Sequence, residues 1–328
     1  MFNELLNEAK KKAKKVDEYI LQNLEGDIKE LYEACKHLVK AGGKRLRPFL
    51  VLTSYELFRN DVERVLPIAA AIEIFHTFTL IHDDIMDQDE LRRGVPTVHK
   101  VWGVPMAILA GDLLHAKSYE LVAKSELDTS IIKQLLAEFT EAAVIICEGQ
   151  ALDMAFEERM DVTLDEYLDM IKRKTAWLFK LSCRFGALSA EAEASYVDAL
   201  TKYGENIGIA FQMVDDWLGL FGSEEKTGKP VGSDVRESKK TYPILYAIQH
   251  ANESDKARLL EILAKRDKKE EEVQEAIEII KRTGADRATK DMAQKYADAA
   301  IKALDAIPDS KAKEYLVSLA RFTIERSF

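Results

Sequence analysis

Apolar residues recur every three to four positions along most of this chain, and that period restricts it to helices more tightly than any other feature. In the opening segment Leu5, Ala9, Lys12, Val16, Tyr19 and Ile20 fall along one face of an amphipathic helix. Alternation of β-branched residues is scarce, and only seven prolines interrupt 328 residues. The spacing predicts helices over Asp27–Lys40, Leu46–Arg59, Leu66–Asp84, Met106–Lys124, Thr129–Glu157, Leu164–Ala187, Glu193–Gly219 and Tyr242–His250, with several more to the C-terminus. Breaks are expected where Gly and Pro gather: Ala41–Gly43, Arg93–Pro96 and the stretch Gly222–Ser238. None of these is a Ser/Gly linker or a low-complexity tract, and no internal repeat stands out. One all-α domain over residues 1–328 is the simplest account.

At 47% hydrophobic the chain can bury a sizeable core, and its net charge of -10 makes the surface acidic. Such a surface repels polyanions, so no nucleic-acid partner is expected. A phosphate-bearing ligand must instead be held by a local cluster of Lys and Arg. The three cysteines, Cys35, Cys147 and Cys183, lie far apart without a CxxC pattern and read as buried free thiols of a reducing cytoplasm. No charge-free run approaches the ~18 residues of a membrane span. The N-terminus mixes Glu4 and Glu8 with a Lys10–Lys15 run, which is not the order of a signal peptide and reads as a solvated helix face. A cytoplasmic location is expected.

Residues 74–94 read IFHTFTLIHDDIMDQDELRRG. Asp83, Asp84 and Asp87 form a DDxxD cluster where an apolar helix ends. At 3.6 residues per turn, Asp83 and Asp87 stack on one face. The helix dipole is also negative there, so the arrangement is best tolerated with a cation present. Magnesium suits it, because that ion takes a few carboxylates plus water and phosphate oxygens. Arg92, Arg93 and Gly94 follow within one loop, placing phosphate-binding groups beside metal-binding ones.

A second apolar run ends in Asp215–Asp216, with Gln212 one turn earlier, and a basic loop follows with Lys229, Arg236, Lys239 and Lys240. Upstream, Gly42 to Pro48 opens a helix with a glycine turn and three cations, a plausible anion site. Lys174–Thr175 adds a cation beside a hydroxyl.

These segments together resemble the trans-prenyltransferases, the polyprenyl diphosphate synthase family, and more narrowly the archaeal-type geranylgeranyl diphosphate synthases. The match runs from about Gly42 to the C-terminus through GGKRLRP, HTFTLIHDDIMDQDELRRG, GDLLHAKSYE, EGQALDM, KTAWL, the Gln212–Asp216 segment and GKPVGSDVRESKKT. The resemblance implies the isoprenoid synthase fold, a single large bundle of mostly antiparallel helices around a central cavity. It implies head-to-tail (1'-4) condensation of isopentenyl diphosphate with allylic prenyl diphosphates by a homodimer using magnesium, about three ions per active site with substrate bound. Asp83 and Asp87, with Asp84 behind them, are expected to hold magnesium on the allylic diphosphate from one wall. Asp215, helped by Asp216, is expected to hold a further ion from the opposite wall. Arg92, Lys174, Lys229 and Lys239 are assigned to the allylic diphosphate. Gln212 and Thr175 line the region of the allylic cation, and Lys44, Arg47, His76 and Arg93 hold isopentenyl diphosphate. The catalytic set is thus Asp83, Asp87, Lys174, Asp215 and Lys229. The second motif of the family is commonly DDxxD, whereas Gly219 stands at the third Asp position. That contact is absent, or replaced by water or by Asp234; archaeal-type members share the DDxxG form.

Breaking an allylic C–O bond leaves a carbocation and a highly charged diphosphate, so cations aimed at its oxygens stabilise charge as it develops. No dedicated His or Glu base stands out, and the resemblance implies that the released diphosphate takes the final proton. Phe78 lies five residues before Asp83, about 7.5 Å down the helix. Phe75 lies a turn further on a neighbouring face, and Thr79 is small. This pattern resembles synthases that stop near twenty carbons, and it makes Phe78, with Phe75, the expected floor of the cavity. Farnesyl and geranylfarnesyl products remain alternatives. From other classes, His76, His82–Asp83 and a distant Asp could build a metal phosphohydrolase. A head-to-head synthase or terpene cyclase would share the acidic motifs but has no use for Lys44, Arg47 and Arg93 as an isopentenyl site.

Overall fold

The computed structural model describes residues 2–222 and 231–325. Helices carry the fold: α1 Phe2–Asn23, α2 Lys29–Lys40, α3 Leu46–Glu56, α4 Leu66–Met86, α5 Val98–Trp102, α6 Val104–Ala123, α7 Thr129–Glu158, α8 Leu164–Ile171, α9 Trp177–Ser189, α10 Ala194–Phe221, α11 Ser233–Arg236, α12 Tyr242–His250, α13 Glu253–Ala264, α14 Glu270–Arg282, α15 Ala285–Ala303 and α16 Lys311–Glu325. Among the described residues the strands are two pairs of residues, Leu91–Arg92 and Val95–Pro96, in one antiparallel hairpin. The chain is all-α, as its apolar period predicts.

Two compact units divide the chain: Met1–Glu141 with Leu181–Thr201 and Leu304–Ser318, and Ala142–Lys180 with Lys202–Ala303 and Leu319–Phe328. In the first, α4 packs along α6 and also touches α3 and α1. Pro67 starts α4 where its missing N–H costs nothing, and Ile68 to Phe75 are buried without a break. A helix apolar all round belongs inside a protein. By length and composition Val62–Met86 could cross a membrane, but 67% of its apolar window is covered by the rest of the protein. Lys12 departs from the solvated face expected for Lys10–Lys15. It is 3% exposed and donates to Thr53 Oγ1 (2.8 Å) and to Glu56, tying α1 to α3. Cys35 and Cys183 are buried thiols, whereas Cys147 is exposed, because it shares the open face of α7 with Val144 and Ala151.

In the second unit one core gathers Tyr167, Met170, Ile171, Met213, Val214 and Tyr242, and another gathers Leu220, Ile244, Leu259, Ile262, Val273 and Ile277. Helix α8 starts with a capping box, in which Thr163 Oγ1 accepts from Glu166 N–H while the Glu166 carboxylate accepts from Thr163 N–H. The single helix expected over Leu164–Ala187 is interrupted by a π turn, Lys172–Ala176. Distant residues make room for it. A side chain at Gly149 on α7 would come within 2.4 Å of Lys174 N, and one at Gly208 on α10 within 2.6 Å of Ala176 Cα. Two glycines thus let α7 and α10 close on the widened turn from either side.

Candidate active site

The hairpin after α4 explains the arginine pair. Arg93 (φ 55°) and Gly94 (φ 79°) are the two central residues, and positive φ at both is what a tight two-residue hairpin requires. Arg92 and Arg93 consequently serve different partners. Arg92 Nε donates to Asp84 Oδ1 at 2.7 Å, and its Nη2 lies 3.2 Å from Asp89 and 3.9 Å from Asp83. Burial works against the Arg92 charge, but Asp84, Asp83 and Asp89 outweigh it. Asp84 is fully buried, its Oδ2 has no hydrogen-bond partner, and burial lifts its carboxyl to about 6 against the pull of Arg92. Asp83 and Asp87 remain partly exposed, with Asp87 capping α4 through its N–H on Asp83 O.

Arg93 turns the other way, donating to Leu38 O (3.1 Å) and to Gly42 O, while Lys44 stands exposed two residues beyond Gly42. Arg47 Nη1 lies 3.1 Å from His76 Nε2. Burial first, and then Arg47, Arg93, Arg92 and Arg45, push the His76 imidazole well below its usual range. It is therefore neutral and accepts from Arg47. On the same helix, Phe78 meets Phe75 edge-on with ring centroids 4.8 Å apart and lies 4.8 Å from the His115 ring of α6. Phe139 backs Phe75 at 4.9 Å, and the small Thr79 donates to His76 O. Phe78 is 9% exposed and Phe75 is buried.

In the second unit the π turn delivers Lys174 and Thr175 to two different helices. Lys174 Nζ pairs with Asp153 of α7 at 2.5 Å, and Thr175 Oγ1 donates to Gln212 Oε1 of α10 at 2.8 Å. Asp153 is one turn beyond Gly149, and Gln212 one turn beyond Gly208, so each glycine sets the approach that its partner residue uses. Gln212 Nε2 donates onward to Asp216 Oδ1 (2.9 Å), whose Oδ2 accepts from the Tyr167 hydroxyl and from Tyr242 N–H (3.3 Å). Asp216 is 4% exposed, and burial lifts its carboxyl to about 6 while those three donors hold it back. Asp215 stays partly exposed. Gly219 has its Cα against the Asp234 carboxylate, and a Cβ there would sit 2.8 Å from Asp234 Oδ2. Asp234 therefore fills the space that a third aspartate of the motif would need. Lys239 pairs with Glu237 at 3.3 Å and donates its N–H to Asp234 O. Lys229 lies outside the described residues.

The polyprenyl synthetase family model matches residues 28–280. The geranylgeranyl diphosphate synthase of Saccharolobus solfataricus is 46% identical over 99% of this chain and 97% of its own length. The chain belongs to the polyprenyl synthetase family. The crystal structure of geranylgeranyl pyrophosphate synthetase from Pyrococcus horikoshii superposes on this polyprenyl synthetase with a TM-score of 0.94, at 44% identity and covering 99% of each chain. A polyprenyl synthase from Caulobacter crescentus, solved with calcium and isoprenyl diphosphate, gives a TM-score of 0.92 at 34% identity, covering 100% of this chain and 98% of that one. The isoprenoid synthase fold expected from the motifs is therefore the fold of this polyprenyl synthetase.

The residues of this synthetase suit a divalent metal only in company. Among the described residues no group of three or more His, Cys, Asp or Glu side chains could hold an ion unaided. On α4, Asp83 and Asp87 offer hard carboxylate oxygens, and on α10 Asp215 offers another; such donors suit magnesium together with phosphate oxygens. Of the two other expected metal ligands, Asp216 gives both oxygens to protein donors, whereas Asp84 gives Oδ1 to Arg92 and keeps a buried Oδ2 without a partner. Sequence reasoning assigned no role to Asp153, Tyr167 or Glu73. Asp153 stood inside EGQALDM, one helical turn from a glycine, and that spacing was its only signal.

Proposed function

We propose that this polyprenyl synthetase is a magnesium-dependent geranylgeranyl diphosphate synthase, joining isopentenyl diphosphate head to tail to allylic diphosphates until the chain reaches twenty carbons. The observation that carries the reading is the end of α4, where Asp83 and Asp87 stand on a helix whose next buried turn is closed by Phe78 and Phe75. Identity of 46% to a geranylgeranyl diphosphate synthase supports the same product. Asp83 and Asp87 would hold magnesium on the allylic diphosphate, and Asp215 would hold a further ion. When bound, magnesium neutralises the diphosphate oxygens as the C–O bond breaks. Arg92, Lys174, Lys229 and Lys239 add fixed positive charge at those oxygens. Thr175 spends its proton on Gln212, which leaves its oxygen lone pairs for the allylic cation. Lys44, Arg47 and Arg93 bind isopentenyl diphosphate and bring its double bond in line, converting a bimolecular encounter into a positioned one. His76 accepts from Arg47 and so cannot serve as the base. The released diphosphate takes the final proton, and one domain, 1–328, performs the whole reaction in the cytoplasm.

Incubation with magnesium, labelled isopentenyl diphosphate and farnesyl diphosphate yields a twenty-carbon alcohol after dephosphorylation. No incorporation of label into farnesyl diphosphate, a main product of twenty-five carbons, or release of inorganic phosphate without coupling overturns the assignment. A homodimer belongs to the same proposal. On α6, Val104 (44% exposed) and Ile108 (43%) stack one turn apart with Leu109 (53%) beside them, an apolar face of the kind that pairs subunits. Light scattering at micromolar concentration reads a dimer mass; a monomer there removes this part.

A further inference from the structure

Glu73 sits on α4 one turn before His76, is 2% exposed, and plays no part in the chemistry described so far. Its Oε1 accepts from Arg45 Nη1 at 3.0 Å and lies 3.9 Å from Arg93 Nη2. Burial raises its carboxyl while Arg45, Arg93 and Arg47 pull it back. Arg45 is as buried as its partner, with a side chain 1% exposed. With the Glu73 bond, four of its five N–H donors are spent inside the protein, the others on Asp17 Oδ1 (2.6 Å), Gly42 O (3.0 Å) and Val39 O (2.8 Å). It also holds a left-handed backbone (φ 47°) at the residue that opens α3, a conformation that needs support in a non-glycine residue. Arg93 closes the same loop from the hairpin by donating to Leu38 O and Gly42 O. Both guanidinium groups lie against Gly43, where a Cβ would meet Arg45 Nη1 and Arg93 Cζ at 2.8 Å. One buried acid thus stands between two arginines that grip one loop, with Lys44 on that loop and Arg47 just past it in the first turn of α3.

We propose that Glu73 is a positioning residue for isopentenyl diphosphate: by anchoring Arg45 and Arg93 together it presets the Gly42–Arg45 loop and the start of α3, so that Lys44, Arg47 and Arg93 face the diphosphate as one rigid cation set. It acts through these groups and never touches substrate. The inference rests on the isopentenyl role proposed above for those three cations.

The test compares Glu73→Gln, Arg93→Gln and the double variant, with KM measured separately for isopentenyl diphosphate and for farnesyl diphosphate. Glu73→Gln keeps the shape and removes the charge. It raises the isopentenyl KM by about tenfold or more, the scale on which misplaced binding groups act, and leaves the farnesyl KM within a factor of two. Because Glu73 works through Arg93, the double variant is no worse than the product of the two effects and falls well short of it. Since KM does not depend on the folded fraction, partial instability does not mask the result. If Glu73→Gln yields no folded protein, Glu73→Asp, which keeps the charge but withdraws it by one methylene, raises the same KM by about threefold. An unchanged isopentenyl KM in a folded Glu73 variant, alongside a raised one in Arg93→Gln, overturns the inference alone. An unchanged KM in Arg93→Gln overturns the isopentenyl reading beneath it. Equal rises in both KM values, or full additivity, reduce Glu73 to a general structural part and also overturn it.

Discussion

Asp83→Asn lowers kcat by roughly a hundredfold to a thousandfold while leaving the protein at least as stable as before. The first half of this result follows from charge. Removing a single group aimed at developing charge in a preorganised site costs about 2.7–4 kcal/mol of transition-state stabilisation. Asp83 would supply one of the few protein oxygens to the metal, because no third carboxylate, imidazole or thiolate among the described residues stands ready to replace it. The second half follows from position. Asp83 lies in the last turn of α4 with Asp84 and Asp87, where the helix dipole is also negative, so removing one charge there relieves repulsion by about 0.3–1 kcal/mol. Asp84 keeps its 2.7 Å bond from Arg92 Nε, so the hairpin stays seated. Turnover with isopentenyl and farnesyl diphosphates, set beside the thermal midpoint of the same preparation, reads both effects. Activity within tenfold of the parent would falsify the metal role of Asp83.

Alanine at position 78 shifts the main product from twenty carbons to twenty-five or beyond. Phe78 lies five residues, about 7.5 Å, below Asp83 along α4, and its ring is wedged among Phe75, His82 and His115. Deleting it opens depth on the same axis as the diphosphate end, and Phe75, buried behind it, becomes the next obstruction. The double change of Phe75 and Phe78 to alanine therefore lengthens the product further. Truncating a buried aromatic costs about 3–5 kcal/mol, so the assay belongs well below the thermal midpoint. Chromatography of the dephosphorylated alcohols against standards decides the matter. A Phe78→Ala enzyme that stays folded and still stops at twenty carbons removes Phe78 from the floor.

Local signals carried much of this protein. The three-to-four-residue apolar period specifies an all-α chain, and α2, α4, α7 and α12 begin and end within a few residues of where that period places them. Asp83–Asp84–Asp87 and Asp215–Asp216 were legible because each ends a largely apolar, charge-free run, a pattern readable within a single helix. Features that depend on two distant segments were not. The π turn at Lys172–Ala176 has no sign of its own; the glycines that make room for it, Gly149 and Gly208, lie 23 and 32 residues from its ends by the numbering, and each looks like an ordinary helix glycine. Glu73 looked like a lone acid in an apolar helix until Arg45 and Arg93 arrived from two loops. The division of labour between Arg92 and Arg93 required the hairpin geometry, since adjacent arginines in a sequence do not say which way each turns.

The π turn also leaves the active site with slack. A π turn holds one residue more than the α turn it replaces, so α8 and α9 could be joined with one residue fewer and keep their outer ends in register. Elsewhere in a long helix such as α10, the same deletion spins everything downstream by about 100°. Lys172–Ala176 is therefore a place where chain length can change and the scaffold barely notice, while Lys174 and Thr175, which reach Asp153 and Gln212 only through that surplus residue, lose their grip on one or both.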